Sequence, residues 1–238
     1  MIIYLIITLF VLSNSLPLSS RILKIAHRGY SSCYIDNSLI AFNKAIENNF
    51  DMIEMDIQLS KNNDIVIYHD NYIKDINVKD ITTKKLKQKY NIITLDDFFQ
   101  KINYNNIKIN FDVKGDKQEI IEKLLQVLMV YNVNTSLIYI SSFNRDILNS
   151  IVNSKIIYNM DYKSGFITSN VFNDLDIAFG IFDNIDFVVL DYNILSDDYI
   201  SKIRRKNVKI FTYTNKNNDT YNIISRYNVD GVYSDCLI

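Results

Sequence analysis

Short apolar runs rich in β-branched residues alternate with amphipathic stretches along most of the chain. The β-branched runs predict strands at Ile22–His27, Met52–Gln58, Ile65–His69, Ile107–Val113, Leu137–Ser141, Lys155–Asn159, Phe187–Asp191, Val208–Thr212 and Gly231–Ser234. Apolar residues at helical spacing predict helices at Asp36–Asn48, Thr82–Gln88, Leu95–Ile102, Lys117–Val130, Arg145–Val152, Asp197–Lys206 and Asp219–Arg226. Asp36 is the predicted N-cap of the first helix.

Strands that alternate with helices indicate βαβ units and a parallel sheet. The third strand is the exception, because the turn before it, Ser60–Asp64, is only five residues long. A parallel crossover needs about a dozen residues or more, so the second and third strands must form an antiparallel hairpin. Eight parallel strands remain, and they predict a single (β/α)8 TIM barrel with a short hairpin excursion after the second strand. Residues 21–238 show no linker or internal repeat and are predicted to form this one domain.

Residues 1–20 precede this domain and begin with an apolar run from Met1 to Leu12. The run is shorter than the ~20 apolar residues that span a bilayer, so no stable membrane span is expected. Ser13 and Ser15 form a small-x-small pattern typical of a cleavage site, which predicts a signal peptide and a secreted or exported protein. Because no Lys or Arg precedes Arg21, the alternative is an uncleaved hydrophobic arm that packs on the domain or associates it with a membrane.

The composition is that of an ordinary globular protein, with 48% hydrophobic and 22% charged residues. The net charge is −1, so the basic excess typical of nucleic-acid-binding proteins is missing and no nucleic-acid partner is predicted. The two cysteines, Cys33 and Cys236, follow the first and last predicted strands. These strands are neighbours in a closed barrel, and the sequence is compatible both with a disulfide and with two free thiols.

Polar residues cluster where the predicted strands end, which is where barrel active sites are built. Glu54 and Asp56 are two residues apart, so both side chains point to the same face of their strand. Asp112 and Lys114 share one face of the next parallel strand in the same way. Close carboxylates repel one another unless a cation lies between them, and Mg²⁺ and Ca²⁺ prefer oxygen ligands. The three carboxylates therefore predict a divalent-cation site.

Both histidines of the chain, His27 and His69, also stand at strand ends. Two histidines can act as general base and general acid across one reacting centre. Arg28 and Lys114 add positive charge suited to a phosphate group. Each feature also has a purely structural explanation: a solvated acidic pair, a structural histidine, or a surface ion pair between Asp112 and Lys114. Their joint placement at strand ends is what favours a functional site.

Seven segments, in order along the chain, resemble motifs of the glycerophosphodiester phosphodiesterase family. They are Ala26-His27-Arg28-Gly29, Asp36-Asn37-Ser38 with Ala41-Phe42, Asp51 to Ser60, Val66 to Asp70, Phe111 to Lys114, Ser141 to Phe143 and Val229 to Asp235. In the family these segments read HRG, E-N-T with A-x-F, D-x-I-E-x-D-V-x-x-T, V-V-x-H-D, E-I-K, S-F and V-D-G-I-x-T-D. The resemblance runs from about residue 24 to residue 236.

The resemblance implies a (β/α)8 barrel that hydrolyses small-molecule glycerophosphodiesters to sn-glycerol 3-phosphate and an alcohol. It implies His27 and His69 as the acid–base pair. It also implies one divalent cation, Mg²⁺ or Ca²⁺, with the ligands Glu54, Asp56 and Asp112. The implied substrate-binding residues are Arg28 and Lys114, which would contact phosphate, and Asp36 and Asn37, which would line the site near the metal.

The sequence departs from the family pattern at several positions. Asp36 and Asp112 stand where the family usually has Glu, so each side chain is one methylene shorter. The run from Phe211 to Thr214 replaces a W-T-V-N strand end, and Asn62-Asn63 replaces a D-G turn. The stretch from Asn71 to Tyr90 lacks the family's R-T-T element, which predicts a more open mouth.

Two other functions remain as alternatives. A related barrel phospholipase D that acts on lysophospholipids or sphingomyelin would suit an export signal and an open mouth, although the HRG-like and E-N-T-like segments favour glycerophosphodiesters. A catalytically impaired barrel that binds without turnover would suit the two Glu-to-Asp changes, although both histidines, Glu54 and Asp56 are retained. The sequence carries no signal of oligomeric state.

Overall fold

A closed sheet of parallel strands forms the centre of the protein, whose computed structural model describes residues 21–172 and 184–238. The segment predicted to be a signal peptide or hydrophobic arm lies outside the described residues. The strands are β1 Leu23–Ala26, β2 Met52–Leu59, β3 Ile65–Ile67, β4 Tyr72–Ile73, β5 Ile76–Asn77, β6 Lys108–Val113, β7 Ile138–Ser142, β8 Lys163–Thr168, β9 Phe187–Asp191, β10 Lys209–Asn215 and β11 Gly231–Ser234.

Eight of these strands close into a barrel in the order β1-β2-β6-β7-β8-β9-β10-β11. All eight pairings are parallel, and β1 pairs with both β2 and β11, which closes the ring. The predicted (β/α)8 TIM barrel is therefore confirmed. The helices of the described residues surround it: α1 Leu39–Glu47, α2 Thr83–Tyr90, α3 Leu95–Lys101, α4 Glu119–Val130, α5 Arg145–Ile157, α6 Asp197–Arg204 and α7 Asn218–Ile224.

The predicted hairpin excursion is confirmed. Strand β3 runs antiparallel to β2, with Ile57 opposite Ile67, and places His69 directly after the hairpin. Strands β4 and β5 form a small antiparallel ribbon that the sequence pattern does not predict. This ribbon stands beside the mouth of the barrel.

The predicted strand at Lys155–Asn159 is wrong, because this segment ends helix α5. The apolar face of that helix has the i, i+3, i+4 pattern at Leu148, Ile151 and Val152, and Asn159 (φ 48°) follows its last turn. Ile157, which suggested a buried strand, is 73% exposed. The fifth barrel strand is instead Lys163–Thr168.

A serine and a glycine interrupt the apolar pattern of that strand in the sequence. The Ser164 hydroxyl donates a hydrogen bond to Asp186 Oδ2 (3.1 Å), and the Ser164 backbone N–H donates to the same oxygen (2.8 Å), so this polar side chain is paired inside the fold. A Cβ on Gly165 would lie 2.3 Å from the ring of Phe187 on the neighbouring strand. Glycine is therefore required where the barrel interior closes on this aromatic ring.

Asp36 is not the N-cap of helix α1. Ser38 caps the helix, and its side chain accepts a hydrogen bond from the Ala41 backbone N–H (3.2 Å). Asp36 lies two residues earlier and pairs with Arg28 instead. Ser38 directly precedes Leu39, the first residue of the helix, so its side chain can reach the free backbone N–H groups of the first turn.

The barrel interior and the helix layer have separate apolar cores. The interior core consists of strand residues that point inward: Ile25, Met52, Tyr139, Ile167, Phe187, Val189, Phe211 and Tyr233. The outward-facing residues of the strands pack on the helices, and Phe111 of β6 and Leu124 of α4 belong to the same apolar cluster. The described residues contain no helix long and apolar enough to cross a membrane.

Helix α3 begins with a capping box that also anchors the hairpin. The Thr94 side chain accepts from the Asp97 backbone N–H, and the Asp97 carboxylate accepts from the Thr94 backbone N–H. Thr94 forms an isolated bridge to Val66 in β3, and Lys87 lies 2.7 Å from Asp97. Burial would raise the pKa of Asp97, but the Lys87 and Thr94 hydrogen bonds outweigh it and lower the pKa from 3.8 to about 2.

We expect Asp97→Asn to lower the free energy of unfolding by up to about 2 kcal/mol at pH 7. The folded pKa is below the unfolded value, so this stabilisation is present above pH 4 and is lost as the pH falls towards 2. Urea unfolding at several pH values should show that the difference in the free energy of unfolding between wild type and Asp97→Asn shrinks between pH 5 and pH 2.5. The control is Asp198→Asn, which removes an exposed ion pair with Lys202. A wild-type advantage that stays constant over this range would contradict the account.

Candidate active site

The polar strand ends meet in one cavity of about 160 Å³ at the C-terminal end of the barrel. Three groups of lining residues define it: histidines, charged residues at the strand ends, and an apolar and aromatic wall. The lining consists of His27, Arg28, Glu54, His69, Asn110, Asp112, Lys114, Phe143, Ile167, Val189, Tyr213, Thr214 and Tyr233. The sequence thus predicted most of the charged lining from strand ends alone.

Three carboxylates form a buried cluster beside this cavity. Glu54 and Asp56 point inward from β2, and Asp112 stands opposite Asp56 in the register of β6. They are 2%, 1% and 6% exposed, and one ligand oxygen from each lies within 4.8 Å of the others. The cluster can therefore present three oxygens to a single small cation.

Two cationic side chains offset part of this buried charge. Lys114 Nζ lies 3.0 Å from Asp56 Oδ1 and also hydrogen-bonds to Asp112 Oδ2. Arg28 Nε lies 3.2 Å from Asp56 Oδ2. Burial would raise the pKa of Asp56, but the charges of Lys114 and Arg28 outweigh it and the pKa is lowered. Asp56 is therefore an ionised carboxylate held between two cations.

The other two carboxylates lack this compensation. Burial and the charges of Asp56 and Asp112 raise the pKa of Glu54 well above its usual range. Burial also raises the pKa of Asp112 despite the nearby Lys114. Asp112 Oδ1 is buried and accepts no hydrogen bond. Three carboxylates against two cations, with one oxygen unpartnered, fit a site that holds a further cation.

A strained turn after β1 brings a backbone donor to this cluster. Arg28 has φ 57° and Gly29 has φ 80°, and the Arg28 N–H donates to Glu54 Oε2 at 2.7 Å. The Arg28 carbonyl accepts a hydrogen bond from the Asn37 N–H. A Cβ on Gly29 would lie 2.7 Å from the backbone of Ala41 in α1, so only glycine permits this close approach.

Asn37 and Asp36 occupy different positions. Asn37 is buried and makes two hydrogen bonds with Asp56: its side-chain N–H donates to Oδ2 (2.8 Å), and its oxygen accepts from the Asp56 backbone N–H (3.2 Å). Asp36 accepts from the guanidinium of Arg28 at 3.3 Å, and its side chain is 51% exposed. Asn37 thus orients a carboxylate of the cluster, whereas Asp36 holds Arg28 from outside.

Each histidine is paired with a carboxylate through its Nδ1 atom. His27 Nδ1 lies 2.6 Å from Asp235 Oδ1, which also accepts from the Ser31 hydroxyl (3.1 Å). Burial would raise the pKa of Asp235, but the hydrogen bond and charge of His27 outweigh it and lower the pKa. His69 Nδ1 lies 2.7 Å from Asp70 Oδ1. The pairing leaves Nε2 of each ring as the nitrogen that can exchange a proton with a ligand.

Two supporting residues were not identified from the sequence. Asp235 was noted only as part of a closing motif, although its place at the end of the last barrel strand is the same signal that found His27. Gln58 follows Asp56 by two residues on the same face of β2. Its amide donates to the carbonyls of Tyr68 (2.7 Å) and Asp70 (3.0 Å), which fixes the backbone around His69.

A second, larger space adjoins the cavity. This groove of about 920 Å³ runs between the β4–β5 ribbon and the segment after β6. His69, Lys114 and Phe143 line both spaces and so mark their junction. Tyr213 also lines the cavity, and its ring meets Phe143 edge-on with the ring centroids 5.9 Å apart. Asn71, Tyr72 and Asn77, from the segment after β3, line this groove.

The two cysteines are free thiols. Cys33 is exposed, and Cys236 lies near Asn215, whose amide donates to its sulfur at 3.6 Å. The structure therefore has no disulfide between the first and last strands.

Comparison with known proteins identifies the family. Residues 27–237 match the profile of the glycerophosphoryl diester phosphodiesterase family. A glycerophosphodiester phosphodiesterase from Caldanaerobacter subterraneus is 33% identical over 144 residues, which cover 52% of this chain and 59% of that protein.

Solved structures show the same fold. The glycerophosphodiester phosphodiesterase of Thermotoga maritima is 25% identical and has a TM-score of 0.71, covering 90% of this chain and 94% of the other. An Oleispira antarctica phosphodiesterase, solved with its product sn-glycerol 3-phosphate, is 21% identical with a TM-score of 0.78, covering 90% and 92%. The family match spans nearly all of the described barrel, and the expected enzyme class is confirmed: the chain belongs to the glycerophosphoryl diester phosphodiesterase family.

Proposed function

We propose that this protein hydrolyses glycerophosphodiesters to sn-glycerol 3-phosphate and an alcohol, with a divalent cation bound by Glu54, Asp56 and Asp112. One observation carries the proposal. Two histidines, each paired with a carboxylate through Nδ1, line the same cavity as two cationic side chains and two carboxylates of the buried acidic cluster. This set supplies an acid, a base and sites for a phosphate in one place.

The charge of the site supports the cation requirement. Glu54, Asp56 and Asp112 together with Arg28 and Lys114 carry a net charge of −1 when all are ionised. A phosphodiester monoanion would be repelled by this set. A divalent cation would change the net charge to +1, bind a phosphate oxygen, and stabilise the charge that develops in the transition state. Arg28 and Lys114 would contribute to the same stabilisation.

The positions of the two histidines support different roles. His27 lies in the inner cavity, and Asp235 would stabilise its imidazolium form, so it suits the general base. His69 lines both the cavity and the groove, so it suits the general acid that protonates the leaving alcohol. As the new P–O bond forms, His27 accepts the proton of the nucleophile. As the old bond breaks, His69 gives its proton to the departing oxygen.

The two spaces support a division of the substrate. The glycerol phosphate half would occupy the inner cavity, and the alcohol would extend into the groove. An inner cavity of about 160 Å³ is below the size of typical pockets for larger ligands and suits a small polyol. A glycerol that carries an acyl chain, as in a lysophospholipid, would have to place that chain in the groove, which the alcohol would occupy. The structure therefore favours glycerophosphodiesters over the phospholipase D alternative.

The function is tested by substrate choice. We expect release of sn-glycerol 3-phosphate from glycerophosphocholine and glycerophosphoethanolamine with Mg²⁺ or Ca²⁺, and none with EDTA. The kcat/KM for glycerophosphocholine should exceed that for lysophosphatidylcholine by about tenfold or more, which corresponds to ~1.4 kcal/mol. Faster turnover of lysophosphatidylcholine would support the phospholipase D alternative. No turnover of any substrate with either metal would support a binding protein.

The histidine roles are tested by two substitutions. His27→Ala should lower kcat by roughly 10²–10⁴, the usual contribution of a general base. Asp235→Asn keeps the ring in place but removes its counter-charge, so part of that loss, about 10- to 10²-fold, should appear in kcat. Asp219→Asn, an exposed aspartate on α7, serves as the control. Near-normal turnover by folded His27→Ala would refute the assignment.

A further inference from the structure

The hydroxyl of Tyr233 is a buried polar group with no hydrogen-bond partner in the structure. Tyr233 is 3% exposed and lies on β11, and its ring belongs to the apolar core of the barrel interior. Leaving a buried hydroxyl unpaired costs about 1–3 kcal/mol, so such groups are rare without a reason. Phenylalanine would fill the same interior position without this cost.

The surroundings of the hydroxyl indicate what could pair with it. Tyr233 lines the active-site cavity together with Glu54 and Asp112. In the register of the barrel it stands beside Ile25, two residues below His27, so its side chain belongs to the floor of the cavity. Burial is the main reason why the pKa of Tyr233 is well above its usual value. The nearby charges of Glu54 and Asp112 raise this pKa further.

A second unpartnered atom lies in the same cavity. Asp112 Oδ1 is buried and accepts no hydrogen bond, and Lys114 binds the other oxygen of that carboxylate. The hydroxyl is a donor and the carboxylate oxygen an acceptor, yet no hydrogen bond joins them. A buried water needs two to four polar partners, and Tyr233, Asp112 and Glu54 supply three around one cavity.

We propose that Tyr233 is a positioning residue of the cation site: its hydroxyl holds a water molecule beneath the acidic cluster, and that water completes the oxygen shell of the divalent cation from the cavity floor. Hard cations bind water readily alongside carboxylates, and groups that hydrogen-bond to metal ligands tune metal affinity. This inference rests on the proposed function, because it presupposes a cation on Glu54, Asp56 and Asp112.

Tyr233→Phe tests the role, with Tyr139→Phe as the matched control. Tyr139 is also buried (6% exposed) in the interior core, but it is not among the lining residues of the cavity. MgCl₂ and CaCl₂ should be titrated into EDTA-treated full-length protein by calorimetry. We expect Tyr233→Phe to weaken cation binding by about tenfold and Tyr139→Phe to leave it unchanged.

Two further readouts separate positioning from a structural role. In EDTA, Tyr233→Phe should unfold at the wild-type temperature or higher, since the lost hydroxyl makes no hydrogen bond to another protein group. In the activity assay, the cation concentration for half-maximal rate should rise, while kcat at saturating cation stays close to wild type.

The outcomes that would overturn the inference are distinct. Equal cation affinity in wild type and Tyr233→Phe removes the role of the hydroxyl and leaves the proposed function intact. A loss of kcat at saturating cation, with unchanged affinity, would place the hydroxyl on the substrate instead. If the wild type binds neither cation, the proposed cation site fails and this inference fails with it.

Discussion

The buried negative charge of Glu54, Asp56 and Asp112 is the constraint on which the rest of the site depends. Three carboxylates lie nearly out of contact with water, and two cationic side chains leave one negative charge uncompensated. Burying such charge is costly unless it is paired. A protein that keeps this arrangement gives up stability at the site, which is common where a ligand supplies the missing charge.

The barrel makes this arrangement possible by bringing distant parts of the chain to one rim. Parallel pairing of β2 and β6 sets Asp56 directly beside Asp112. Pairing of the first and last strands brings Asp235 to His27, 208 positions away in sequence. The turn at Arg28 then supplies both a backbone donor and a guanidinium to the acidic cluster. A single closed sheet therefore positions acid, base and cation ligands on rigid strand ends.

The fold class is predictable from the sequence because it follows from the order of strands and helices. The charged strand ends are predictable because residues two apart on a strand share one face. The fifth strand does not stand out in the sequence because Ser164 and Gly165 interrupt its apolar run. Only their long-range partners, Asp186 and Phe187, explain why these two residues are there. Asp235 carries the same strand-end signal as His27, but that signal does not show which residue it pairs with. Its role depends on ring closure, which no local pattern records.

The side chains that support the site show a further limit. Gln58 acts on the backbone of the loop that carries His69, and Asn37 acts on a carboxylate 19 positions away. Amides of this kind are common in any sequence, so their residue type alone carries no signal. Their contribution becomes visible only when the distances to the groups they orient are known.

The most direct test of the central claim is thermal unfolding of wild type and Glu54→Gln in EDTA and in excess Mg²⁺. Glutamine removes the uncompensated charge but can still accept the Arg28 N–H. We expect the variant to be as stable as wild type, or more stable, in EDTA. A cation at 100 times its Kd should stabilise wild type by about 2.7 kcal/mol, or roughly 5–10 °C, and the variant hardly at all. Equal Mg²⁺ shifts in the two proteins, or a less stable variant in EDTA, would contradict the account.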